Sequence, residues 1–167
     1  MRHGDIIQHD GRGTLDFEDF EGQRFILVVD RARREPAHPW AKSPVPAEHQ
    51  VLGLGPIILS VPALGPTDAV LTNVLQMRRV RDYSITGGTT VHVFEMGEGG
   101  AAAELHVVVE PNMPRARQGA GSVHHVAFRT TVKDYGAWAE RLVELGMRSS
   151  GPVNRFYFQS LYFHSQF

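Results

Sequence analysis

The sequence holds no cysteine among its 167 residues. Disulfides, thiolate nucleophiles and cysteine-ligated zinc or iron–sulfur centres are therefore excluded. Any metal must be held by histidine, carboxylate, tyrosine or backbone oxygen. An excess of either charge is also lacking. Lys and Arg number 17 against 18 Asp and Glu, a formal net charge of −1. Bulk electrostatics thus offers nothing to nucleic acid or an anionic membrane. No apolar run is long enough to cross a bilayer. The opening MRHGDIIQHDGRG lacks the apolar core of a secretory leader, so the expectation is a cytoplasmic protein. No histidine pair has HxxxH spacing on a helix. GEGGAAAE lacks the strand-before, helix-after setting of a phosphate-binding loop. What remains is ordinary globular composition, 42% hydrophobic and 21% charged, enough for one sizeable domain or two small ones.

Periodicity divides the chain into four parts. Residues 1–30 read as a terminal hairpin: TLDFEDF alternates apolar and acidic residues, Glu21-Gly22 turns, and RFILVV returns. Residues 31–50 hold four prolines and no period, which predicts a linker anchored by Trp40. Residues 51–113 predict a complete β-α-β-β-β module. VLGLGPIILSV is its first strand. A helix over 66–77 has Thr67 or Asp68 at its N-cap and Val70, Leu71, Val74 and Leu75 inward. Arg79–Ile85, Thr89–Glu95 and Glu104–Val109 are its remaining strands. Residues 114–167 begin the pattern again as β-α-β: SVHHVAFRT is a strand, and DYGAWAERLVELGM is a helix. That helix has Asp134 at its N-cap, Trp138, Leu142 and Leu145 inward and Gly146 near its C-cap. Asn154–Phe163 opens the next strand or hairpin. The fold class expected is α+β, built of repeated βαβββ modules with curved mixed sheets.

The chemistry concentrates between residues 121 and 163. His124 and His125 are adjacent in a predicted strand, so alternation puts their rings on opposite sides of a sheet. One can enter a concavity while the other points away. On the following strand, period two puts Arg155, Tyr157 and Gln159 on one face. Phe156, Phe158 and Ser160 take the other. Tyr162 then falls opposite Arg155 unless a bulge intervenes. Imidazole, guanidinium and phenol on one concave face suit a metal and an oxygen-rich aromatic. His106 in ELHVVVE, near Glu104 and Glu110, is a candidate for a different site. The simpler reading of His92 and His106 is a half-exposed sheet edge. His3, His9, His38 and His49 read as solvated.

A β-α-β-β-β repeat with a histidine on its first strand resembles the vicinal oxygen chelate superfamily, which includes glyoxalase I, bleomycin-resistance proteins and type I extradiol dioxygenases. PW..SPVPAEH, GAGSVHHVAFRT and NRFYFQSLYF resemble its ring-cleaving, hydroquinone-type dioxygenases. The resemblance runs over nearly the whole chain, specific over 115–163 and weak over 50–110. It implies four modules and an iron(II), or manganese(II), held by two histidines and a glutamate. His125 matches one ligand, and His124, Arg155 and Tyr162 match positions beside the site. The other two ligands have no counterpart, so the chain looks like an incomplete, C-terminal portion. A lone ligand cannot make a tight site, and the chain by itself can be metal-free. The implied function is extradiol-type cleavage of a hydroquinone or catechol-like aromatic, in a truncated or degenerate member. The alternatives are a non-catalytic module binding a small aromatic or antibiotic, and a glyoxalase-type metal-dependent isomerase or lyase. An incomplete module leaves an open sheet edge and an uncovered apolar face: either the hairpin of residues 14–29 covers them, in the same chain or in a partner, which implies a homodimer, or residues beyond Phe167 do.

Overall fold

The computed structural model describes residues 1–30, 38–114, 117, 119 and 123–164. The chain begins with a three-stranded antiparallel sheet rather than a hairpin: β1 (Arg2–His9), β2 (Arg12–Glu18) and β3 (Arg24–Val28). Asp10 and Gly11 make the first turn at φ 50° and 70°. A two-residue turn with both φ values positive matches the twist of its strands, and Asp-Gly suits it best. The second turn is wider than Glu21-Gly22. Asp19 Oδ1 accepts from the N–H groups of Glu21 and Gln23, both at 2.9 Å. β1 escapes a period-two reading because Ile6 and Ile7 are adjacent and a bulge lies between His3 and Ile6.

Within the expected linker, residues 31–37 lie outside the described residues. Gln50 ties the remainder together. Its Nε2 donates to Val45 O at 2.8 Å and Trp40 O at 3.3 Å, and its Oε1 accepts from Trp40 N at 2.8 Å. The Trp40 side chain is not the anchor expected, since the residue is 64% exposed.

The central elements run β4 (Ile57–Val61), α1 (Leu64–Ala69), a π turn (Val70–Val74), β5 (Arg78–Ser84), β6 (Thr90–Glu95) and β7 (Glu104–Val109). Their sheet has the order β4-β7-β6-β5. β4 lies parallel to β7, and the other pairs are antiparallel. Alternation gives this sheet two faces. Leu105, Val107 and Phe94 point to one, where Val61, Leu71 and Met77 join them in the core. Burying each such side chain contributes about 1.5–3 kcal/mol. Arg81, Tyr83, Val91, Val93, Glu104, His106 and Val108 share the other face by register.

The helix differs from expectation. It starts at Leu64, with Ala63 as N-cap and no side-chain cap. Pro66 sits in the first turn, where its missing N–H is not needed. Thr67 and Asp68 lie inside the helix, past the position from which a side chain could cap it. The helix then widens, with Leu75 N donating to Val70 O at 3.0 Å, and stops at Gln76, φ 57°.

After residue 122 the expected strand is absent: residues 123–130 form none. A strand exists only where a ladder partner exists, and β-forming composition cannot supply one. α2 (Tyr135–Glu144) follows. Asp134 is its N-cap residue, but the carboxylate accepts from Thr131 Oγ1 at 2.7 Å rather than from the helix. Leu142 is buried and Trp138 half-buried, while Leu145, beyond the last turn, is 44% exposed. Gly146 at φ 65° closes the helix. Arg141 joins α2 to the central module by donating to Val74 O at 2.9 Å and to Asn73 O. A small hairpin, β8 (Val153–Asn154) and β9 (Gln159–Ser160), is stitched to α2 by Tyr135. Its hydroxyl donates to Ser160 O at 2.7 Å and accepts from Val153 N at 3.1 Å. The three sheets are not closed. Among the described residues no helix is long and apolar enough to cross a membrane.

Candidate functional site

His124 and His125 do not face opposite sides, because no strand holds them apart. Their Nδ1 atoms lie 3.1 Å apart and both residues are exposed. The Tyr162 ring meets His125 edge-on at a centroid separation of 5.8 Å. Three of the four expected residues thus come together. The fourth, Arg155, does not join them. It begins a tight turn, its N donating to Phe158 O at 2.8 Å, with Phe156 at φ 70°. That turn replaces the regular strand and cancels the face assignment over 155–159. The Arg155 guanidinium makes no hydrogen bond or ion pair to a described residue. At the hairpin tip Phe156 and Tyr157 are each 89% exposed.

A second cluster lies on the face of the central sheet opposite Leu105 and Val107. Glu104 and His106, two residues apart on β7, point the same way, and both are buried. Asp10 reaches them from the β1–β2 turn. One potential ligand atom from each of the three falls within 4.8 Å of the others, the only such group of three metal-type donors among the described residues. Arg12 forks onto Glu104, with Nη1 to Oε2 and Nη2 to Oε1 both at 2.7 Å. Arg81 Nη2 adds a contact to Oε1 at 2.9 Å and also grips Asp10. His106 Nε2 lies 3.0 Å from Glu104 Oε2, and Tyr83 OH lies 3.0 Å from His106 Nδ1. Burial alone would push the Glu104 carboxyl up. The hydrogen bonds from His106, Arg12 and Arg81 outweigh that and hold it far below the usual carboxylate range. Burial pushes the Tyr83 phenol up, which keeps it protonated and a donor.

Glu104 and His106 were legible as one face of a strand, whereas Asp10, Arg12 and Arg81 carried no local signal. Glu110 is not in the cluster. It follows β7, its N donating to Val61 O at 2.8 Å. His92 makes a separate contact, its Nδ1 3.0 Å from Asp82 Oδ1 and 2.8 Å from Arg79 Nη2. His3, His38 and His49 are exposed, and His9 is half-buried.

The family model for the Glyoxalase/Bleomycin resistance protein/Dioxygenase superfamily matches residues 53–167. The chain belongs to this superfamily. Within the superfamily it is 41% identical over 164 residues to "Putative ring-cleaving dioxygenase MhqA" of Bacillus subtilis (strain 168), covering 98% of this chain and 52% of that protein. It is 25% identical to "Putative ring-cleaving dioxygenase MhqE" of the same organism, covering 93% and 48%. The chain spans about half the length of the curated relatives it matches. Among solved structures, a "putative dioxygenase" from Bacillus subtilis subsp. subtilis str. 168 superposes with TM-score 0.79 at 24% identity, over 97% of this chain and 50% of that one. FosX from Listeria monocytogenes, a fosfomycin resistance protein solved as a point mutant with Mn(II) and 1S,2S-dihydroxypropylphosphonic acid, superposes with TM-score 0.51 at 20% identity. That match covers 70% of this chain and 86% of FosX. Both structural likenesses establish the superfamily's fold.

Proposed function

We propose that this chain belongs to an extradiol-type ring-cleaving dioxygenase that opens a hydroquinone or catechol-like aromatic with non-haem iron(II), manganese(II) being the alternative ion. The observation that carries this reading is the 41% identity over 98% of the chain to a relative named for ring cleavage. Because the chain spans 52% of that relative, the activity proposed belongs to a whole protein, cytoplasmic and homodimeric, to which the chain contributes. Exposed Val123, Val132, Phe156, Tyr157 and Phe158 support an assembly that covers them.

The residues present fit one ligand position of such an ion rather than a whole site. His125 lies outside any group of three metal-type donors among the described residues. The chain's own residues supply binding, orientation and a proton path. In the tautomer where His125 carries its hydrogen at Nδ1 and gives it to His124 Nδ1, the Nε2 lone pair of His125 is left for a cation. Tyr162 offers a phenol O–H to a substrate oxygen, and His124 moves a proton. Arg155 offers a fork to a phenolate or carboxylate.

Anaerobic iron(II) titration of the whole protein to which the chain contributes, by calorimetry and with His125→Ala alongside, tests the ligand assignment. Oxygen uptake with a substituted hydroquinone and with a catechol tests the reaction. Binding at micromolar Kd or tighter that His125→Ala abolishes, with oxygen uptake, supports the reading. Iron binding indifferent to His125→Ala sinks it. The exposure of His125 favours a second reading, non-catalytic capture of a small aromatic. Tight binding of the aromatic with neither iron affinity nor oxygen uptake selects that one.

A further inference from the structure

Asp10, Glu104 and His106 are the residue types that hold a first-row divalent ion, and they converge from two sheets. Their ligand atoms lie within 4.8 Å of one another, a little beyond twice a metal–ligand bond, about 4.2 Å. Every atom they would offer a metal is nevertheless in use. A carboxylate has about four lone-pair sites. Glu104 fills four: two from the Arg12 fork, one from Arg81 and one from His106. His106 gives Nε2–H to Glu104, so its Nδ1 is the acceptor for Tyr83 O–H. Asp10 is held through both oxygens by Arg81. Charge closes in the same way: Glu95 also meets Arg81 Nη1 at 3.4 Å and is paired in turn with Arg78 at 3.8 Å, so three carboxylates face three guanidiniums.

We infer that Arg12 and Arg81 are the resident cations of this centre: a metal-type donor set closed by two guanidiniums, which becomes a divalent-cation site when they are removed. Arginine suits the position because its planar fork matches a carboxylate and stays charged when partly buried. The role is also mechanical. Arg12 comes from β2 and Glu104 from β7; Arg81 comes from β5 and Asp10 from the β1–β2 turn. The centre therefore fastens the first sheet to the Glu104–His106 face of the second. This inference is independent of the dioxygenase reading, which places its ion at His125.

Cobalt(II) uptake by the full chain, read from visible absorption, tests it. Cobalt bound by the native protein is expected to be unchanged by His106→Gln. The Arg12→Ala/Arg81→Ala variant is expected to take up about one further equivalent, lost again when His106→Gln is added. A fall in cobalt uptake on His106→Gln in the otherwise native protein overturns the inference. So does a folded double-arginine variant that gains no cobalt. Should that variant not fold, as judged by circular dichroism, Arg81→Gln is read the same way. It frees both Asp10 oxygens and one lone pair of Glu104.

Discussion

Arg12 and Glu104, 92 residues apart in sequence, meet as a two-bond fork with both contacts at 2.7 Å, and the Glu104 side chain is only 1% exposed. A charge buried this deeply is tolerated because its hydrogen-bond sites are filled. Taking away one partner then costs more than the pair contributes. Glu104→Gln leaves Arg12 and Arg81 facing an amide, and the expected loss is about 3–5 kcal/mol of unfolding free energy. Urea unfolding checks this. The midpoint should fall while the slope stays near that of the native chain. A midpoint within experimental error of native would mean that the fork holds nothing together.

The same carboxylate predicts a pH dependence. Its folded pKa lies below the ordinary glutamate value of 4.5. The unfolded chain therefore takes up the proton first. The contribution is fully present above that ordinary value and is lost as pH falls from about 5 toward the folded value. Unfolding free energy measured between pH 7 and 3 should drop more steeply for the native chain than for Glu104→Gln. Parallel curves would assign the acid sensitivity to other carboxylates.

Much of this architecture is legible in the sequence, and the failures have physical causes. β2, β3, β5, β6 and β7 show as short runs of strand-forming residues bounded by turn residues. α2 shows because Trp138 and Leu142 recur at helical spacing. β1 does not, although Asp10-Gly11 is a strong hairpin signal. The segment 123–130 fails in the opposite sense, since residues suited to a strand meet no partner there. Glu104 and His106 could be placed on one face by counting, but nothing local points to Arg12 or Asp10. Those contacts, 92 and 71 residues distant, exist only once two sheets have packed.

Gly11 tests the turn that delivers Asp10. Its φ is 70°, and a Cβ added there would meet nothing within 4 Å. The cost of Gly11→Ala is therefore backbone strain alone, about 1–2 kcal/mol. Asparagine tolerates the left-handed region, so Gly11→Asn should lose less. Thermal melts of the two variants check the ranking. Equal losses would point to a side-chain effect that the open space does not allow.

Arg141 is the link by which α2 hangs on the central module. Its guanidinium caps carbonyls of Asn73 and Val74, where the π turn ends. A cation at such an end also meets the negative pole of the helix. Hydrogen bonds from a charged donor contribute about 1.5–3 kcal/mol, so Arg141→Ala should lose part of that. The loss should be local. Amide hydrogen exchange is expected to rise in α2 and the β8–β9 hairpin while the β6–β7 ladder keeps its protection. A uniform rise would mean that α2 and the central sheet open as one unit.

His124 is the residue through which the proposed iron ligand can be tuned without touching the ion. With its Nδ1 3.1 Å from that of His125, it can fix which His125 nitrogen carries the proton. If His125 keeps its hydrogen at Nδ1, the Nε2 lone pair is free for a cation. His124→Ala removes the acceptor and should weaken iron(II) binding by about 10–100-fold. His124→Asn restores an acceptor oxygen at similar reach and should recover part of the affinity. Calorimetric titration of both variants against the native form, each made in the whole protein to which the chain contributes, measures the ordering. Equal affinity in all three proteins would show that His124 does not set the His125 tautomer and that its place beside the ligand is incidental.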